Sequence, residues 1–407
     1  MTPSCDIRVG DALATLRAMP SASVHCGVTS PPYWQLRDYG VAGQLGLEKT
    51  FNGYLRNLRA IFREFRRVLR PDGTLWVNMG DCYDPKKPKD LLGQPWKVAF
   101  ALQAEGWYLR QDIIWHKPNP APESSKDRCT KAHEYVFLLS RSPRYFYDQD
   151  AVMDPVEGTA NARAALPDRI DNPLFDLTPV SRAGAPGGVT PKAVSAWASG
   201  PGSHRTVEHN AGTRVKNNPS FAAAVVGPVG ERNKRSVWSI PVQPCSDSHF
   251  ATFPEALVKP CILAGTSAAG CCAACGAPYL RIVRRGDVNL AHQRACGGDS
   301  TGEYHGSSRK DYQAARAQDA SAMKARILSG MAARETIGWK PSCECPPAGV
   351  VPATVLDPFG GSGTTGKVAL ELGRSAILLE LNPEYAEIAR KRTHVTPGFA
   401  LSEGGAA

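Results

Sequence analysis

No run in this chain of 407 residues approaches the ~18 consecutive apolar residues of a membrane span. Its opening residues, MTPSCDIRVGDALATL, lack the basic, apolar and small-residue order of a secretory signal, so a cytoplasmic location is expected. Internal repeats are missing too, which argues against a solenoid or propeller. Acidic residues fall short of basic ones, 38 against 48, and leave a formal charge of +10. That balance suits a polyanionic partner without naming one. Cysteine, by contrast, is plentiful. Twelve cysteines without an export signal argue against a disulfide scaffold and for free thiols with a metal site.

Texture divides the chain. Residues 1–154 alternate apolar strands with amphipathic helices: SVHCGVT (23–29), a helix over 51–73 ending at Pro71 and Gly73, TLWVNMG (74–80), a helix over 95–106, then two further strands. This alternation implies an α/β sheet. Residues 155–245 are rich in Gly, Pro, Ser and Arg with little periodicity, the texture of a linker or of a substrate-reading insert. Order resumes over 246–270 with a helix in FPEALVKPCILAG. Residues 271–347 interrupt again with cysteines at both ends. Residues 348–395 read as strand, glycine-rich turn, helix, strand and helix, and 396–407 as a flexible tail.

The glycine-rich turn DPFGGSGTTG follows the strand ATVL and opens a helix. Gly361-x-Gly363-x-x-Gly366 is formally a dinucleotide fingerprint, and Glu380 closes the next strand, where an acid can take both hydroxyls of a ribose. No Lys-Ser/Thr follows in the frame of a phosphate-cradling loop. Asp357 at the strand end suits a cationic ligand better than a pyrophosphate, and Phe359 offers such a cation a ring face. S-adenosylmethionine therefore fits better than NAD.

TSPPYW (29–34) and DPFGGSGTTG (357–366) together resemble the catalytic and cofactor motifs of DNA amino-methyltransferases, in the order of their circularly permuted beta group. VGDALATL, RRVLRPDGTLWVNMGD, DIIWHKPNPAPES and HEYVFLLSRSPRYFYD are similar to further family segments. The resemblance implies a permuted class-I, Rossmann-like α/β methyltransferase sheet carrying a target-recognition insert over 155–245. It also implies double-stranded DNA as substrate, a bacterial or phage source, a homodimer, and a role in restriction-modification or as an orphan enzyme. Ser30 and the Pro31 carbonyl would accept the two N–H bonds of the target amine, with Pro32 holding the turn and Tyr33 stacking on the flipped base. Asp11 would lie beside the cofactor adenine, Glu380 would hold the ribose, and Phe253 and Pro254 would border the methionine end. Thr29, Asp357, Phe359, Gly361, Gly363, Thr364 and Thr365 complete the expected cofactor set.

Elementary chemistry agrees with that assignment. An aromatic exocyclic amine is a poor nucleophile because its lone pair is delocalised into the ring, and two acceptors on its hydrogens localise it. Consecutive prolines fix φ near −65° and hold the preceding residue extended, so the Pro31 carbonyl is aimed. Base flipping needs an aromatic platform, Tyr33 or Trp34, to offset unstacking. Serine before Pro-Pro-Tyr goes with cytosine N4 in the family and Asp or Asn with adenine N6; both side-chain types can accept one hydrogen bond, so cytosine N4 is favoured only slightly and adenine N6 stays open. An RNA or protein-amide methyltransferase, or a non-catalytic zinc-ribbon nucleic-acid-binding protein, are the alternatives.

Cys272-x-x-Cys275 and Cys343-x-Cys345 are paired short spacings joined by a longer loop, a ribbon-like excursion suited to structural zinc, with Cys271 competing as a ligand. Candidate DNA contacts are Arg214, Lys216, Asn217, Arg232, Lys234 and Arg235, the last three in the dense cluster ERNKRSVW.

Overall fold

A computed structural model describes residues 2–87, 89–155, 231–243, 253–285 and 334–393. Arg214, Lys216 and Asn217 lie outside the described residues. The chain divides into two compact units, Met1–Asp154 with Arg232–Arg285 and Arg334–Ala407, and Pro155–Glu231 with Gly286–Ala333. The first unit holds the main sheet.

The chain begins with β1 (Cys5–Val9), α1 (Ala12–Ala18), β2 (Val24–Thr29), α2 (Phe51–Val68), β3 (Leu69–Met79), α3 (Gln94–Ala104), β4 (Tyr108–His116) and β5 (His133–Ser140). Two-residue strands β6 (Asp154–Pro155) and β7 (Glu231–Arg232) precede β8 (Val237–Ser239), α4 (Glu255–Gly265), β9 (Cys271–Cys272) and β10 (Tyr279–Arg285). It ends with β11 (Arg334–Pro341), β12 (Val350–Val351), β13 (Thr354–Asp357), α5 (Thr364–Glu371), β14 (Ser375–Glu380) and α6 (Pro383–Thr393).

Helix α2 shows how local sequence sets an element. The Thr50 hydroxyl caps it by accepting from the Gly53 amide at 3.1 Å. Tyr54, Leu58, Ile61, Phe62, Phe65 and Val68 recur at three- and four-residue spacing and form one buried face. The helix ends at Val68, short of the expected Pro71 and Gly73. Leu69 already pairs with Val24 of β2, and the next partners are Cys26 and Thr74, so Pro71-Asp72-Gly73 is absorbed as an irregularity inside β3. A bulge is where a strand tolerates proline.

Eight strands form one sheet in the order β1-β14-β13-β2-β3-β5-β4-β8. Neighbours from β1 through β3 are parallel, and β5 runs antiparallel to both β3 and β4. Side chains alternate between the two faces with a period of two. Leu75, Val77, Phe137 and Leu139 pack with α1, α2 and α3, whereas Trp76, Val136 and Leu138 pack with α4 and α5. Both faces are therefore covered, as a largely parallel sheet requires. From the centre, β13 leads on to β14 and β1 in one direction, and β2 leads on to β3 in the other. The paired strands β13 and β2 flank the point where the winding reverses, and ligands bind at the carboxyl ends of strands there. Strand β8 joins the sheet edge through β4. Residues around 237–239 thus belong to the sheet, although texture grouped them with the insert.

Candidate active site

The carboxyl ends of β13 and β2 meet through side chains. Asp357 Oδ1 accepts from the Thr29 hydroxyl at 2.6 Å and from the Phe359 amide at 3.0 Å, and Oδ2 accepts from the Thr365 hydroxyl at 2.8 Å. Asp357 is 1% exposed, and Thr29 and Thr365 are fully buried. These three, expected to touch the cofactor, do not line the cavity beside them. A carboxylate whose two oxygens already hold internal donors serves to tie β13, β2 and the start of α5 together. Burial pushes the Asp357 carboxyl up from 3.8 to about 6, against the pull of those donors. For an acid raised in the folded state, the cost appears as pH rises through that window and is complete above it. Asp357→Asn is therefore expected to raise the unfolding midpoint more at pH 7.5 than at pH 4.5. Equal shifts in thermal denaturation at both would contradict the assignment.

A cavity of about 490 Å³ opens at these strand ends. Its cofactor-side wall contains Asp11, Phe253, Phe359, Gly361, Thr364 and Glu380, all expected from the sequence. Gly363 is not in the wall; it sits at φ +84° as the N-cap of α5, against α6. Glu380 accepts from the Gly361 amide at 2.6 Å and the Asn382 amide at 2.8 Å, one on each oxygen. Burial raises its carboxyl above the usual range. An ionised carboxylate has about four acceptor positions, so two are left for a pair of hydroxyls. Asp11 caps α1 through the Ala14 amide at 2.8 Å. The size and the mix of two acids, two ring faces and open backbone fit a nucleoside with a cationic tail.

The opposite wall is built by Ser30, Pro31, Pro32 and Tyr33. The Pro32 carbonyl is taken by the Tyr54 hydroxyl at 2.9 Å. The Pro31 carbonyl receives no hydrogen bond from any described residue. Trp34, offered by the sequence as an alternative platform, is 4% exposed and bonded through its ring nitrogen to the Glu48 carbonyl, so it is core. Three further residues reach this wall. Tyr33 donates to Glu134 Oε2 at 2.9 Å, Asn78 Nδ2 donates to the same oxygen at 2.9 Å, and Lys117 pairs with Glu134 Oε1. Burial, and then the Glu134 charge, hold the Tyr33 phenol well above its ordinary value. Asn78, Lys117 and Glu134 were not singled out by sequence reasoning, because single polar residues at the ends of apolar strands carry no periodic signal.

At the other end of β2 lie the cysteines. The sulfur atoms of Cys272, Cys275, Cys343 and Cys345 all fall within 4.8 Å of one another. Four thiolates on tetrahedral zinc, at about 2.3 Å each, sit about 3.8 Å apart, so the donor set fits the ion. Cys271 is buried outside the cluster, and burial pushes its thiol up to about 12. The knuckle docks on the sheet through Arg70, which donates to the Cys275 carbonyl at 2.7 Å, and His25, 2.9 Å from the Gly276 carbonyl. The Thr354 amide donates to His25 Nδ1, so Nε2 carries the proton toward Gly276. His25 and Thr354 lie at the start of their strands, whereas Thr29 and Asp357 close them, so the cysteine cluster stands away from the cavity.

Of the basic cluster, Lys234 is committed to Asp154 at 3.0 Å and to the Trp238 ring, so it braces the fold. Arg235 is exposed. Among the described residues no helix is long and apolar enough to cross a membrane.

A doubly covered sheet with a glycine-rich turn at its switch point, and the Ser-Pro-Pro-Tyr turn facing it across one cavity from the adjoining strand, is the arrangement of an S-adenosylmethionine-dependent methyltransferase. The DNA methylase family profile, which groups N6 and N4 enzymes, matches residues 24–272 and 352–391. The chain belongs to that family. It is 31% identical to the type II methyltransferase M.SmaI of Serratia marcescens over 96% of this chain and 90% of that one. It is 32% identical to M.Cfr9I of Citrobacter freundii over 94% and 85%. Among solved structures, the cytosine-N4-specific PvuII DNA methyltransferase aligns over 98% of this chain and 91% of that one at 15% identity, with a TM-score of 0.49. The protein is thus a sequence-specific DNA amino-methyltransferase that uses S-adenosylmethionine.

Proposed function

We propose that the enzyme methylates cytosine N4 in duplex DNA, with Ser30 and the Pro31 carbonyl as the two amine acceptors. The observation that carries this reading is one cavity bounded on one side by the Ser30–Tyr33 turn and on the other by Phe359, Gly361 and Glu380. Bound S-adenosylmethionine supplies an electrophilic methyl group. Glu380 would hold its ribose hydroxyls, Asp11 would lie at its adenine, and Phe253 and Phe359 would border the cationic end. Ser30 Oγ and Pro31 O draw on the amine hydrogens and localise the nitrogen lone pair, while the Tyr33 ring stacks on the extruded base. Serine at position 30, where adenine enzymes of the family carry Asp or Asn, supports cytosine. Strand β2 precedes β13 in the chain, which supports placement in the permuted beta group. The enzyme works within a restriction-modification system or alone. Its DNA contacts include Arg214, Lys216, Asn217, Arg232 and Arg235. Long-read sequencing of DNA from cells expressing the protein reports base and context together. N4-methylcytosine at one short sequence is expected, and N6-methyladenine would overturn the base assignment.

The four thiols are proposed to hold one structural zinc. The purified protein should carry one equivalent by elemental analysis, and a zinc-free purified protein would refute the assignment. Because the knuckle docks at the amino ends of the strands, chelation should lower the unfolding midpoint and leave the heat of cofactor binding in place.

A further inference from the structure

Ser30 carries one hydrogen and two lone pairs, and only its lone pairs are useful against an amine that offers two N–H donors. A free serine hydroxyl rotates, and in some orientations it points its hydrogen at the substrate. We propose that Glu134 is a positioning residue that fixes the direction of the hydrogen bonds around Ser30, so that the serine meets the target amine as an acceptor. This role rests on the assignment of Ser30 as an amine acceptor.

The direction follows from counting hydrogens. The Glu134 carboxylate only accepts, and its Oε1 is taken by Lys117. The single hydrogen of Tyr33 is therefore committed to Glu134 Oε2, at 2.9 Å. Ser30 Oγ and Tyr33 Oη stand 3.4 Å apart, and with Tyr33 already donating elsewhere, the serine must be the donor of that pair. Asn78 is fixed by the same carboxylate: its Nδ2 faces Glu134 Oε2, Tyr33 Oη at 3.2 Å and Ser30 Oγ at 3.3 Å, all of which can accept. Nδ2 has two hydrogens for these three acceptors, so Ser30 gives its hydrogen to Tyr33 and, whether or not Asn78 donates to it, keeps a lone pair for the cavity. The close approach has a cost in backbone freedom. A Cβ at Gly80 would lie 2.9 Å from the Tyr33 ring and 3.1 Å from the Glu134 carboxyl carbon, so glycine lets the pair meet.

Glu134→Gln tests this, because the amide matches the carboxylate in shape and not in polarity. Lys117 would hold its oxygen, leaving the NH2 to face Tyr33. The phenol hydrogen would then turn to Ser30, and the serine hydrogen would turn to the substrate. The single-turnover methylation rate of Glu134→Gln should fall about 100-fold, the order seen when one preorganised hydrogen bond is lost. Cofactor binding by calorimetry should not change. Glu134→Asp keeps an acceptor-only group and should retain more activity than the isosteric Gln. A purely packing role predicts the reverse order, and that result, or a parental rate in Glu134→Gln, would overturn the proposal. Tyr33→Phe keeps the stacking ring and removes the relay. It should lose a similar factor, and Glu134→Gln added to it should cost nothing more; a further 100-fold loss would overturn the relay. Should both Glu134 variants fail to bind cofactor, Tyr33→Phe alone decides, with a parental rate refuting the proposal. Parental activity in Ser30→Ala would instead sink the amine-acceptor reading beneath it.

Discussion

Ser30→Ala should lower single-turnover methyl transfer roughly 10²- to 10³-fold, corresponding to about 3–4 kcal/mol of barrier. The loss comes from differential stabilisation. The nitrogen becomes cationic and its N–H bonds more acidic as its lone pair forms the bond to the methyl carbon, so an acceptor on an N–H gains more in the transition state than in the ground state. Pro31 would still supply the second acceptor, which sets a floor under the loss. The cofactor wall is made by other segments, the turn after β13, the start of α5 and the end of β14, so the heat of S-adenosylmethionine binding should survive. Rapid-quench measurement of methyl transfer with calorimetry on the same preparation checks both halves. A parental rate would remove Ser30 from the reaction, and lost cofactor binding would make it a structural residue.

Gly363→Ala should produce the largest change in stability. Gly363 holds φ +84° at the N-cap of α5, a region that costs an L-residue about 1–2 kcal/mol. An added Cβ would also stand 2.8 Å from the Cβ and 2.9 Å from the Cα of Ala389, which is buried in α6. Overpacking of this kind costs about 1–3 kcal/mol, because backbone and not a flexible tip must yield. The sum, roughly 2–5 kcal/mol, should lower the unfolding midpoint by roughly 2–6 °C. Cofactor binding should weaken with it, since α6 and α5 would part beside Thr364. A midpoint unchanged within error would show that α6 moves away freely.

Much of this was legible in the chain because it is local. The apolar spacing of 51–68, the strand SAILLE ending in Glu380, and the turn between Pro358 and Gly366 each declare themselves within a dozen residues. The four cysteines were legible by spacing, and the structure gathers those four and leaves Cys271 aside. The features that stayed hidden depend on lateral order. Glu134 and Tyr33 are 101 positions apart, and they meet because β2, β3 and β5 are neighbours, an order that periodicity does not encode. The role of Asp357 was hidden for a related reason. From the chain it reads as a charge facing a cation, and only the pairing of β13 with β2 reveals that Thr29 and Thr365 enclose it.

Asp154 carries one more consequence of the fold. It receives Lys234 through one carboxylate oxygen and the Arg235 amide through the other, across about eighty positions of chain. The two ends of that long segment are thus fastened to each other before β8 joins the sheet edge. Loop closure cost grows only slowly with length, about 0.6 kcal/mol per doubling. The sheet and its cavity are therefore indifferent to how much chain is threaded through this staple.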